Sequence, residues 1–126
     1  MAARLEHVNM TVSDPQATAA MLHRVFGWKT RWEGAGMETG YTVHVGTDDT
    51  YVALFTYPET PDPKNTSYVT KGGLNHWAVV VDDFDAVRER VVAEGFTPGE
   101  IHDYEPGRRF YFYDNDGIEI EVVQYD

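Results

Sequence analysis

The chain contains no cysteine. Disulfides and thiolate metal sites are thereby excluded, and any metal must be held by histidine, carboxylate, tyrosine or water. Basic residues are scarce: ten Lys and Arg stand against 21 Asp and Glu, for a net charge of -11. Binding to nucleic acid rests on neutralising phosphates with cations, so this balance argues against a nucleic-acid partner. It also disfavours a large anionic substrate unless the few cations are gathered locally. Long hydrophobic runs are missing as well. None approaches the roughly 18 apolar residues of a membrane span, and the N-terminus has no signal-peptide pattern. A cytoplasmic protein with no membrane partner is the expectation.

What is present is ordinary for a globular domain: 126 residues, 42% hydrophobic and 25% charged, enough for one domain with a real core. Residues 4–12 alternate like a half-buried strand, with Val8, Met10 and Val12 on one face and Leu5, His7 and Asn9 on the other. Asp14 and Pro15 read as a helix cap and first helical residue. Met21, Leu22, Val25 and Phe26 form the apolar side of that helix, which Gly27 ends. Strands are expected near 28–33, 40–46 and 50–56, with Gly34, Ala35 and Gly36 as a break. His44 is expected on the helix side and His23 on the helix surface. Trp28 and Trp32 fall on one strand face.

The pattern then starts again. Leu5, His7, Val12 and Asp14 recur as Leu74, His76, Val81 and Asp83 at a shift of 69, and Gly27, Trp28 and Tyr57 recur as Gly95, Phe96 and Tyr125 at a shift of 68. The second helix, about 84–94, carries Phe84, Val87 and Val91 at helical spacing. The chain is thus two tandem β-α-β-β-β modules, about 1–57 and 74–126, joined by a Pro-rich loop over 58–73. The expected fold is α+β, a single domain in which eight strands form an open barrel-like trough with the helices outside.

The repeat also selects candidate ligands. His7 and His76 hold the same place in the first strand of each module, opposite the helix-facing residues. Near the C-terminus two strands meet at a tight Asp114-Asn115-Asp116-Gly117 turn. Arg109, Tyr111 and Tyr113 share one face, and Phe110 and Phe112 the other. Glu121 falls with Tyr111 on the polar face and maps onto Ala53 at the shift of 68, with Tyr111 mapping onto Val43. Ala53 cannot ligate, so the candidate set is His7, His76 and Glu121, a two-histidine-one-carboxylate triad with positions left open. Such a set suits Fe(II), Mn(II), Ni(II), Co(II) or Zn(II). The competing reading pairs Glu121 with Arg109 across the hairpin, without metal; Tyr111 in that reading is a packed aromatic. Glu119 shares the face of Glu121.

The paired modules resemble the vicinal-oxygen-chelate superfamily, which groups glyoxalase I, bleomycin-resistance proteins, fosfomycin-resistance enzymes, methylmalonyl-CoA epimerase and extradiol dioxygenases. The resemblance covers nearly the whole chain. It implies metal ligands from the first and last strands of each module, where His7, His76 and Glu121 stand. His102, Phe110-Tyr111, Asp114, Gly117 and Glu121 also stand at the places of the extradiol-dioxygenase signature. Asn115 departs from the expected Pro, Glu100 from a smaller residue, and 57–73 contains no histidine to serve as acid–base catalyst. The resemblance implies a metal-dependent enzyme acting on a small substrate that chelates through two neighbouring oxygens. In the dioxygenase-like version Fe(II) is favoured and Tyr111 and His102 contact substrate or oxygen. The alternatives are a glyoxalase-like lyase or isomerase, and a metal-free binding protein like the bleomycin-resistance members. A homodimer is expected, because open sheet edges need covering and members of the superfamily commonly pair.

Overall fold

The computed structural model describes residues 1–36 and 39–126. It divides into two compact units, Met1–Pro61 and Asp62–Asp126. In the first, β1 (His7–Thr11) leads into α1 (Pro15–Phe26), followed by β2 (Lys29–Ala35), β3 (Tyr41–Gly46) and β4 (Tyr51–Thr56). The sheet order is β1-β4-β3-β2, with β1 parallel to β4 and the other pairs antiparallel. The second unit repeats this: β5 (His76–Val80), α2 (Phe84–Ala93), β6 (His102–Tyr104), β7 (Gly107–Tyr113) and β8 (Glu119–Tyr125), in the order β5-β8-β7-β6. The α+β class and the tandem β-α-β-β-β order are those the repeat predicts.

Each helix starts and stops for local reasons. The Asp14 carboxylate accepts from the Ala17 N–H, Pro15 opens the first turn, and Gly27 closes α1 at φ 73°. At α2 the Asp83 side chain makes no cap; the Phe84 N–H donates instead to Gln124 Oε1 on β8, at 3.0 Å. That bond ties the helix start to the strand that carries Glu121. Helix α2 buries its expected Phe84, Val87 and Val91; α1 buries the expected Met21, Leu22 and Val25, with Ala19 added and Phe26 only half-buried. Phe110 and Phe112 on β7 are fully buried, and Phe84 meets Phe110 edge-on at 5.3 Å. Each such ring contributes about 2–3 kcal/mol of hydrophobic stabilisation. Burying one face of each sheet under its helix fixes the register, because a slip of one residue would turn the apolar set outward. The opposite, helix-free face is therefore free to carry polar side chains.

Two readings of the sequence change. First, β2 continues through Gly34 to Ala35, opposite Thr42 and Tyr41. A Cβ on Gly34 would meet the Trp32 indole at 2.9 Å, so this glycine lets the indole lie along the strand. Second, His44 does not face the helix. Val43 and Val45 do, at 1% and 0% exposure. His44 stands opposite Ala53, which in turn pairs with Asn9, on the same side as His7. The reason is a difference in turn length. The β3–β4 ladder closes at Gly46 and Tyr51, leaving 47–50 as the turn, whereas β7–β8 closes at Tyr113 and Glu119, leaving 114–118. The extra residue moves β7 by one against the repeat. The counterpart of Tyr111 is His44, not Val43.

Candidate metal centre

In the second unit the helix-free face is built on β5, β8 and β7. His76 pairs with Glu119, Ala78 with Glu121, and Glu121 with Tyr111. Residues two apart on a strand share a face, so His76, Glu119, Glu121, Tyr111 and Arg109 lie together. Glu121 is 6% exposed. A buried carboxylate left alone would be costly, and here its two oxygens are divided. Oε2 accepts from Arg109 Nη1 at 3.1 Å, and Oε1 lies 3.1 Å from His76 Nε2. The Tyr111 ring meets the His76 ring edge-on at 5.5 Å. Burial pushes the Tyr111 phenol above its ordinary pKa, and the Glu121 charge pushes it further. It stays a neutral hydrogen-bond donor at neutral pH.

The ring of His76 sits between two carboxylates. Its Nε2 faces Glu121, while Nδ1 is buried without a hydrogen bond, 3.9 Å from Glu119 Oε1. Glu119 is held by other partners. Tyr68, from the short 3-10 turn Ser67–Val69 in the connecting segment, donates its hydroxyl to Glu119. Tyr113 bonds the same carboxylate. The turn is braced by Thr66, whose hydroxyl accepts from the Tyr68 N–H.

In the first unit, His7 Nδ1 lies 2.9 Å from Glu6 Oε1. Its ring stacks on Tyr51 at 4.8 Å, and Tyr51 stacks in turn on His44 at 4.6 Å. Trp32 extends the column, 5.2 Å from His44, and the Arg31 guanidinium lies 4.4 Å from the Tyr51 centroid. Burial lowers the His44 pKa, and the nearby His7 and Arg31 charges lower it further.

The structure thus brings His76, Glu121 and Tyr111 together on one face of the second unit. His7 belongs to the first unit, on the equivalent strand position. His102 is exposed on the outer strand β6, opposite Arg109. Among the described residues no group of three or more His, Asp or Glu is already gathered to hold a metal ion. The sequence reading missed His44, Glu6 and the Tyr68–Glu119 contact. Unequal hairpin turns were the available signal for His44. The Tyr68–Glu119 contact spans 51 residues and leaves no local pattern.

A mixed four-stranded sheet with one helix, made twice, and a His–Glu pair on the helix-free face define a class of protein. The family comparison agrees: residues 4–122 match the Glyoxalase/Bleomycin resistance protein/Dioxygenase superfamily, and the chain belongs to it. No curated protein matches the chain. Among solved structures it is similar to a glyoxylase/bleomycin resistance protein/dioxygenase domain from Frankia sp. EAN1pec, with a TM-score of 0.84 and 21% identity, covering 100% of this chain and 94% of that one. The fosfomycin resistance protein FosX from Mesorhizobium loti gives 0.70 and 24%, covering 98% and 92%. FosX from Listeria monocytogenes, in complex with Mn(II) and sulfate, gives 0.70 and 19%, covering 100% and 95%. At these identities the likeness is one of fold. Among the described residues no helix is long and apolar enough to cross a membrane.

Proposed function

We propose that the protein is a divalent-metal-dependent enzyme whose ligands are His7, His76 and Glu121. The substrate is small and chelates through two neighbouring oxygens. The observation that carries this reading is the 3.1 Å separation of His76 Nε2 and Glu121 Oε1. An imidazole nitrogen and a carboxylate oxygen this close on one face could hold a divalent cation together. Glu121 Oε1 has no guanidinium on it, since Arg109 takes the other oxygen. The donor chemistry, imidazole with carboxylate, fits a borderline first-row cation, and Fe(II) is favoured over Mn(II), Co(II), Ni(II) or Zn(II) for a dioxygenase-like site.

The bound cation supplies Lewis acidity and a template for the two substrate oxygens. The rest is the work of the chain. Tyr111 donates its phenol proton to a substrate oxygen beside Glu121. Arg109 balances the Glu121 charge and keeps the carboxylate oriented. His102, exposed on β6, accepts or returns a proton at the rim. The working form is cytoplasmic and homodimeric. A second reading, a metal-free binding protein, is favoured by one observation: Arg109 already compensates Glu121 without an ion.

The test is metal content by mass spectrometry on untagged protein prepared anaerobically with Fe(II), Mn(II), Ni(II) and Zn(II) offered together, wild type beside His76→Ala. About one ion per chain in the wild type, lost in the variant, supports the enzyme. Equal and negligible metal in both sinks it and leaves the binding protein. An iron preference supports the dioxygenase-like version, to be followed by O₂ uptake with catechols.

A further inference from the structure

Resting on the metal-site reading just given, we infer that Glu119 is a positioning residue that accepts a hydrogen bond from His76 Nδ1–H when Nε2 becomes a metal ligand, and that Tyr68 restrains it. Imidazole that ligates a cation through one nitrogen carries its proton on the other, and that N–H is ordinarily held by a carboxylate, carbonyl or water. The two histidines differ in how far this is prepared. A carboxylate only accepts, so the 2.9 Å contact of His7 Nδ1 with Glu6 places the His7 proton on Nδ1 and leaves Nε2 free. His76 is not so prepared. Its Nε2 lies 3.1 Å from Glu121 Oε1, within ion-pair range, and its Nδ1 is buried without a hydrogen bond. With Nε2 as a ligand the ring proton stands on Nδ1, where an acceptor is then required. Glu119 Oε1, 3.9 Å away, is the carboxylate on that side of the ring.

The geometry also excludes Glu119 as a ligand of the same ion. It faces Nδ1 while Glu121 faces Nε2, so the imidazole stands between the two carboxylates. The strand register explains this, because His76 lies opposite Glu119 and Glu121 is two residues further along the same face. Closing 3.9 Å to a hydrogen bond needs a shift of about 1 Å. The Tyr68 hydroxyl opposes that shift, since it bonds the same oxygen, Oε1, and anchors it to the Ser67–Val69 turn. In the first unit the position equivalent to Glu119 is Tyr51, which stacks on His7. There the carboxylate comes from the neighbouring residue instead.

The experiment uses Zn(II), which is diamagnetic, with the full chain. Affinity is measured by titration against a competing chelator, and the His76 tautomer by long-range ¹H–¹⁵N spectra with and without Zn(II). The expected results are the His76 proton on Nδ1 in the Zn(II)-loaded protein, affinity about 10- to 100-fold weaker in Glu119→Ala, partial recovery in Glu119→Gln, and tighter binding in Tyr68→Phe. A wild type that binds Zn(II) through His76 with Glu119→Ala within about threefold of it, or Tyr68→Phe binding more weakly, overturns the role of Glu119 and leaves the metal site standing. A wild type that binds no Zn(II) overturns both together.

Discussion

Tyr111 stands directly opposite Glu121 in the β7–β8 ladder, with its ring edge-on to His76. The phenol lies at the Glu121 carboxylate, where the proposed substrate would bring its oxygens. Replacing it by Phe removes one hydrogen bond to a charged ligand, worth about 1.5–3 kcal/mol. Tyr111→Phe is expected to leave Zn(II) affinity unchanged and to weaken binding of 4-nitrocatechol, followed by its absorbance in the metal-loaded protein, about tenfold or more. Equal catechol affinity in the two proteins removes Tyr111 from the site.

Arg109 is the group whose loss leaves Glu121 uncompensated. Its guanidinium is mostly buried and bonds Glu121 Oε2 at 3.1 Å. Breaking a buried ion pair by removing one partner costs about 3–5 kcal/mol. Arg109→Met is expected to lower the urea-unfolding free energy of the metal-free protein by about 3 kcal/mol and by less in the presence of Zn(II), because the cation offsets the stranded charge. The same loss with and without Zn(II) argues that no ion reaches Glu121.

The face beneath the site depends on Phe110, which is fully buried between Phe84 and Phe112. Phe110→Ala is expected to cost about 3–5 kcal/mol in denaturant unfolding, the sum of lost burial and a cavity. A cost under about 1 kcal/mol contradicts the packing described here.

Tyr68 gives a pH dependence of known sign. Its hydrogen bond to Glu119 raises its pKa to about 12, with smaller contributions from desolvation and the Glu119 charge. A folded-state pKa above the unfolded one means that the contact stabilises fully below the unfolded value, about 10, and that this stabilisation is lost as pH rises towards 12. Phenolate absorbance at 295 nm is expected to lose part of its late-titrating amplitude, near pH 12, in Tyr68→Phe relative to the wild type. Identical late titration in both would assign the raised group elsewhere.

The parts of this molecule that are written in local pattern were legible without coordinates. Val8, Met10 and Val12 alternate because one face of β1 turns toward the core, half-burying Val8 and Met10. Asp14-Pro15 and Gly27 bracket α1 because helix ends need a cap and a residue with positive φ. His7, His76 and Glu121 stand out because a repeat compares positions within one chain. What was not legible depends on register and on long-range contact. Whether Val43 or His44 meets the helix is decided by one turn residue that shifts a whole strand. That Tyr68 reaches Glu119, and that Glu6 rather than a β4 residue orients His7, are choices between side chains that no periodicity encodes. Gly34 read as a break because glycine commonly ends strands; here it serves the Trp32 ring.

The β7–β8 turn is one residue longer than the β3–β4 turn. In terms of descent from a duplicated ancestor, that residue is an edit with a large effect. The apolar residues under the helix correspond as Phe110 with Val43 and Phe112 with Val45, so the buried side of the strand has been kept in both halves. A gap placed in the turn when the halves are aligned pairs Tyr111 with His44; a gap placed elsewhere conceals that correspondence. One half then offers an imidazole and the other a phenol at the same point of the same scaffold. Divergence of this kind changes the chemistry on one side of a strand and leaves its ladder and its core intact.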